Sequence, residues 1–268
     1  INGFLARKLR GKVSFTHLIG YAVVRAIADS MPAMNNTYTT SDDNKPVLIR
    51  NEHIGLGIAV DLEKAGGSRT LMVPCITMAD TLNFREFVDA DEAPITTARN
   101  CKLGVAHFAR TTVSLTNPGT IGTLQSVPRL MPGQGLIVGV GSIDFPTEFQ
   151  AADPATLADL GLSKVVTVTS TYDHRIIQGA ESGMFLKKVH ELLLGEDDFY
   201  VDAFRSMGVP YEAVKWRRDI NPIDRESSLL EKQAKVNQLI NMYRVRGHLI
   251  ADLDPLAVKE PAMRPGLD

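Results

Sequence analysis

Between Val165 and Leu194 the hydrophobic period changes from that of a strand to that of a helix, and this change directs the chain toward layered α/β packing. Val165 to Val168 is rich in β-branched residues, whereas from Gly183 to Leu194 the residues Phe185, Val189, Leu192 and Leu193 recur at helical spacing. The same two signals recur upstream. Leu18, Ile19, Ala22, Val23, Ala26 and Ile27 make one apolar helix face, with Ser14 or Thr16 as the cap and Pro32 as the stop. That face needs a sheet to cover. Ile54 to Leu62 alternates large apolar with small or polar residues, so one side of such a strand packs and the other stays thin. Gly66-Gly67 then reads as a turn and Thr70 to Pro74 as the returning strand of a hairpin-like pair. Asp80 is the expected cap of a short helix through Val88; residues 89–109 carry no assignable pattern. Thr111 to Thr116 reads as a strand closed by the turn Asn117-Pro118-Gly119, and Gly135 to Gly141 as a buried strand whose glycines admit a close neighbour. Asp153 to Asp159 reads as a helical excursion. After Gly195 the strand pattern ends, and residues 229–250 form a charged, partly amphipathic helix, which places a domain boundary near Gly195.

With 268 residues and 44% hydrophobic content the chain can bury a sizeable core. A net charge of −2 gives no reason to expect nucleic acid or an anionic membrane as a main partner, and the run Arg7-Lys8-Arg10-Lys12 reads as a solvated face. No stretch approaches the roughly 18 apolar residues of a membrane span, so a cytoplasmic protein is expected. The two cysteines, Cys75 and Cys101, are too few for a zinc site of their own or a disulfide framework. The first residue is Ile, which suggests a piece of a longer chain.

His174 lies in Ser170-Thr171-Tyr172-Asp173-His174-Arg175-Ile176-Ile177-Gln178-Gly179, where the strand pattern stops and the helix begins. An imidazole there can take up and return a proton near neutrality, as a catalytic base does; the alternative is a structural histidine with its bonds satisfied. Thr116 ends a different strand. Were the two strand ends to meet, Thr116 would serve either as a nucleophile activated by His174 or as a hydrogen-bond donor to an oxyanion while His174 activates a thiol. The absence of a Gly-x-Ser-x-Gly elbow favours the second. Gly55-Leu56-Gly57 lacks the strand-then-helix setting of a dinucleotide loop, and no pair of the six histidines has metal-ligand spacing. His17 and His190 read as helix residues facing solvent or making capping contacts.

The segments Ile54 to Asp61, Val73-Pro74, Ser114 to Gly122 and Asp173-His174-Arg175 to Gly179 together resemble the catalytic core of the dihydrolipoamide acyltransferases, over roughly residues 1–195. The resemblance implies a two-layer, mixed-sheet α/β fold of the chloramphenicol acetyltransferase kind, here followed by a helical C-terminal segment. It implies that His174 deprotonates the thiol of CoA or dihydrolipoamide, that the thiolate attacks the thioester directly, and that Thr116 stabilises the tetrahedral oxyanion. It also implies a homotrimer with active sites between chains. Asp173, Arg175, Asn117, Gln178 and Gly179 would then shape the loops that carry the two groups. One departure stands out: the family usually has Asp four residues after the histidine, in a charge pair with Arg, and this chain has Gln178.

Asp198-Phe199-Tyr200 to Trp216-Arg217, and above all Lys232-Gln233-Ala234-Lys235-Val236 through Tyr243 to Leu256, resemble the start of the thiamine-dependent 2-oxoglutarate dehydrogenase component. That resemblance implies a succinyl cargo and a downstream dehydrogenase region of the same longer chain, with thiamine diphosphate and Mg²⁺ sites beyond Asp268. A lipoylated carrier domain of a separate protein would deliver the acyl group. The alternative from another class is a trimeric scaffold, weakened in catalysis by Gln178, that organises the attached decarboxylase.

Overall fold

The structure is a computed structural model, and it describes residues 2–7, 12–63, 69–99, 110–210 and 225–246. Residues 1–216 form one compact unit and residues 217–268 a second.

In the first unit the helices are α1 (Asn2–Arg7), α2 (Phe15–Asp29), α3 (Phe84–Arg99), α4 (Pro154–Asp159), α5 (Gly179–Leu193) and α6 (Phe199–Ser206). The strands are β1 (Asn36–Thr40), β2 (Pro46–Arg50), β3 (Leu56–Ile58), β4 (Val60–Glu63), β5 (Arg69–Met72), β6 (Cys75–Ile76), β7 (Val113–Thr116), β8 (Leu136–Val140) and β9 (Val168–Tyr172). Among the described residues a mixed sheet runs in the order β6-β3-β7-β8-β9. Strands β3, β7 and β8 are parallel, while β6 and β9 run antiparallel at the two edges. Both β1–β2 and β4–β5 are separate antiparallel ribbons.

The pleat explains the packing. Leu56, Ile58, Val113, Leu115, Leu136 and Val138 are all buried and point to one side, where α2 and α5 lie against each other and contribute Val23, Ile27, Phe185 and Val189 to the same core. The other side carries the small residues Gly57, Ser114, Gly139 and Thr169 around the buried Ile137, and an irregular segment covers it. Ser114 donates to Gln134 Oε1 at 2.7 Å, and Thr169 donates to the Ser126 carbonyl. This is the thin face expected from the alternation at residues 54–62.

Ser14 caps α2: its hydroxyl accepts from the His17 N–H, and its own N–H donates to His17 Nδ1, both at 3.2 Å. The helical excursion expected at residues 153–159 is α4, capped by the Asp153 side chain. Three expectations need correction. The run from Ile54 to Leu62 is two strands, because the chain leaves the main sheet at Ala59 and β4 joins the β5 ribbon, with Val60 opposite Met72. The Gly66-Gly67 turn lies outside the described residues. Asp80 caps no helix; α3 is capped by Asn83, whose side chain accepts from the Glu86 N–H at 3.0 Å, and it continues well beyond Val88 into the stretch without a pattern. Finally, the compact unit continues past Gly195. Phe199, Ala203, Met207 and Val209 are buried in the same core, and Phe199 lies 5.8 Å from the Tyr21 ring, which stacks edge-on against Phe84 and Phe87.

In the second unit the described residues form α7 (Arg225–Arg246), which overlaps the helix expected over residues 229–250. Among the described residues no helix is long and apolar enough to cross a membrane.

Candidate active site

His174 stands in the tight connection between β9, which ends at Tyr172, and α5, which begins at Gly179. The main chain of this connection is pinned on both sides. The Asp173 N–H donates to the Gly135 carbonyl at 2.9 Å, and the Asp173 carbonyl accepts from Ile176 and Ile177. Ile177 is fully buried and anchors the turn, which leaves His174 exposed at its tip with its ring 5.4 Å from that of Tyr172. Arg175 folds back onto Asp173, with guanidinium-to-carboxylate distances of 2.5 to 3.1 Å. That hydrogen bonding outweighs the opposing effect of partial burial and holds the Asp173 carboxyl below the usual carboxylate range. The outer face of the Arg175 guanidinium lies 3.6 Å from the centroid of Tyr38. Gln178 occupies the N-cap of α5 with extended backbone, and its N–H donates to Glu181 at 2.6 Å. Gly179 opens the helix with room to spare, since an added Cβ would meet only the Tyr172 hydroxyl at 3.5 Å.

Thr116 ends β7 beside a cavity of about 510 Å³. Ser14, Thr16 and His17 from the start of α2, Asp91 from α3 and Asn117 also line it. The Asn117 amide donates to Thr16 Oγ1 at 2.8 Å, which ties the residue after Thr116 to the first turn of α2. His17 and Asp91 are buried, and Nε2 lies 3.0 Å from Oδ2. Because His17 Nδ1 accepts from Ser14, Nε2 carries the proton and donates to Asp91. The capping contact expected of His17 is present, but its expected alternative, a solvent-facing ring, is not: α3 covers the imidazole. His190 does face solvent.

Strand register shows how the two groups relate. Thr116 is paired with Gly139, and Gly139 with Thr169, so His174 stands five residues farther along β9 and its following turn. At about 3.3 Å per residue the two lie on the order of 15 Å apart, at opposite ends of the sheet. One chain therefore does not bring His174 and Thr116 together.

Sequence reasoning missed Asp91, the His17 pair and Tyr38. Asp91 falls in the stretch where no period was legible. His17 carried a usable signal, because a polar side chain three residues after a helix cap turns back toward that cap. His107 and His248 lie outside the described residues, as does Cys101; Cys75 is buried, and burial pushes its thiol up. Among the described residues no group of three or more His, Cys, Asp or Glu could hold a metal ion.

Residues 3–199 match the family of 2-oxoacid dehydrogenases acyltransferase (catalytic domain). The whole chain is 52% identical, over 270 aligned residues, to the multifunctional 2-oxoglutarate metabolism enzyme of Mycobacterium sp. (strain JLS), and 50% identical to that of Mycolicibacterium vanbaalenii. It spans 21% of the length of each of these curated relatives. Among solved structures, a truncated catalytic core of the 2-oxoacid dehydrogenase multienzyme complex from Thermoplasma acidophilum is 25% identical with a TM-score of 0.56, covering 72% of this chain and 78% of that one. The dihydrolipoamide acetyltransferase of Azotobacter vinelandii is 22% identical with a TM-score of 0.57, covering 72% and 73%. The mixed sheet with its two covering helices is thus the fold of these cores, and the match over residues 3–199 makes the chain a member of the 2-oxoacid dehydrogenase acyltransferase catalytic-domain family.

Proposed function

We propose that this acyltransferase domain moves a succinyl group between dihydrolipoyl-lysine and CoA in a 2-oxoglutarate dehydrogenase system, with each active site assembled from two chains of a homotrimer. The observation that carries this reading is the separation of His174 and Thr116 at opposite ends of one sheet, each accessible at its own end. A cyclic assembly can place the histidine end of one chain against the threonine end of the next. The succinyl cargo rests on the names of the relatives that share about half of this sequence.

In this site His174 takes the proton from the CoA thiol, and the thiolate attacks the thioester carbonyl of the succinyl carrier. A carbon–sulfur bond forms as the carbonyl electron pair moves onto oxygen, where the Thr116 hydroxyl donates a hydrogen bond to the developing charge. Collapse of this intermediate breaks the bond to the dihydrolipoyl sulfur, which takes the proton back from His174. The acyl carrier in this reading is a lipoylated domain of a separate protein, and the thiamine diphosphate and Mg²⁺ chemistry belongs to other parts of the longer polypeptide.

Gln178 does not undercut the reading. Its backbone N–H is used at the helix cap, and the loop finds its ion pair locally between Asp173 and Arg175. In the Azotobacter vinelandii enzyme, the residues studied for the catalytic mechanism are a serine, a histidine and an asparagine four positions after that histidine. Gln178 stands four positions after His174 and also bears an amide.

The test is CoA-dependent formation of succinyl-CoA from succinyl-dihydrolipoamide, comparing the natural sequence with His174→Ala. Loss of about two to four orders of magnitude in kcat is expected. A folded, trimeric parent protein without turnover would instead support the scaffold.

A further inference from the structure

Resting on that reading of His174, we infer that Tyr38, on a hairpin remote in sequence, is a positioning residue for the catalytic histidine and acts through Arg175. Three observations converge on the underside of the histidine turn. The guanidinium of Arg175 is clamped between the Asp173 carboxylate and the face of the Tyr38 ring, 3.6 Å from its centroid. Strand β1, which carries Tyr38, passes close against the sheet: Gly135 has no side chain where the Asn36 carbonyl passes, and a Cβ there would collide with that oxygen. Gly135 in turn accepts the Asp173 N–H, so the hairpin and the histidine turn meet at one residue.

A planar guanidinium stacked on an aromatic face and chelated at its edge has few ways to rotate. Asp173 and Arg175 are the immediate neighbours of His174, so restraining both restrains the backbone from which the imidazole projects. The acid that the family resemblance implies four residues after the histidine is absent here, and Gln178 gives its backbone N–H to the helix cap. Restraint from the β1 ring adds to the local ion pair between Asp173 and Arg175. A base displaced by about 1 Å from its thiol loses on the order of a hundredfold in rate, which is the scale on which such a clamp acts.

The experiment is steady-state succinyl transfer by the full-length chain carrying Tyr38→Leu, Tyr38→Phe, Arg175→Lys or His174→Ala, with melting temperature and oligomeric state recorded for each. Tyr38→Leu is expected to lower kcat about 10- to 100-fold while KM for CoA changes less than about threefold; Tyr38→Phe, which keeps the ring face, is expected to stay within about twofold. Arg175→Lys keeps the charge but not the plane and is expected to lose about tenfold in kcat. A folded Tyr38→Leu protein with undiminished kcat overturns the inference, as does a Phe variant that loses as much as the Leu variant. Should Tyr38→Leu fail to fold, Arg175→Lys decides: unchanged kcat refutes the clamp, and lowered kcat at unchanged KM supports it. If His174→Ala retains full activity, the reading of the site falls and the inference falls with it; if His174 is essential and the Tyr38 and Arg175 variants are unaffected, only the inference fails.

Discussion

His53 and Asp80 illustrate how a single side-chain contact sets both charge and backbone. His53 Nδ1 lies 2.9 Å from one carboxylate oxygen of Asp80, while the other accepts the Ile54 N–H at 2.8 Å and so fixes the entrance to β3. The hydrogen bond to Asp80 raises the His53 pKa above its ordinary 6.5. Partial burial pushes the Asp80 carboxyl up, but the bonds from His53 and Ile54 prevail and leave it below 3.8. The signs define a window. A raised His53 contributes stability that is complete below about pH 6.5 and is lost as pH rises through its folded value; a lowered Asp80 contributes stability present above about pH 3.8 and lost as pH falls through its folded value. The melting-temperature difference between the parent protein and His53→Leu should therefore be largest near about pH 5 and shrink above neutrality. A difference that stays flat from pH 5 to 9 would rule this linkage out.

At the scale of elements, the buried bond between His17 and Asp91 joins the first turn of α2 to α3 beneath the Thr116 cavity. Removing one partner leaves the other buried without its hydrogen bond. Asp91→Ala is expected to destabilise the first unit by about 2 to 4 kcal/mol, as read from denaturant unfolding. A change below about 0.5 kcal/mol would show the pair to be dispensable. The helices and strands around this bond differ in how plainly the sequence announces them. For α2 the cap, the apolar face and the proline stop all agree, and the helix forms where they place it. The α3 helix was legible only in its first turns, since Asp89, Asp91 and Glu92 interrupt the apolar period and its cap is Asn83 rather than Asp80. The β1–β2 ribbon gave no clear signal: β2 is exposed at every position, so no buried face imposes an alternation on it.

At the scale of the whole molecule, a site assembled between chains makes a quantitative prediction. His174→Ala and Thr116→Ala chains, each nearly inactive alone, should recover about a quarter of the parent activity when dissociated, mixed in equal amounts and reassembled. In the proposed cyclic trimer each site would draw its histidine and its threonine from different chains, each intact with a probability of about one half. A site contained in one chain would recover nothing, because every chain would lack one group.

The sequence by itself determined the layered α/β class, the buried strand at residues 135–141, the helices that cover one face of the sheet, and the placing of His174 at a strand-to-helix junction. These follow from local period and from residues whose shape admits few backbone conformations. Tertiary structure alone decided that Thr116 and His174 sit at opposite ends, that Asp91 reaches His17, and that Tyr38 lies against Arg175. Each of these contacts depends on strand order and register between segments far apart in the chain. Hydrophobic period fixes which way a side chain points from its own element, but only the packing of the elements fixes what it meets.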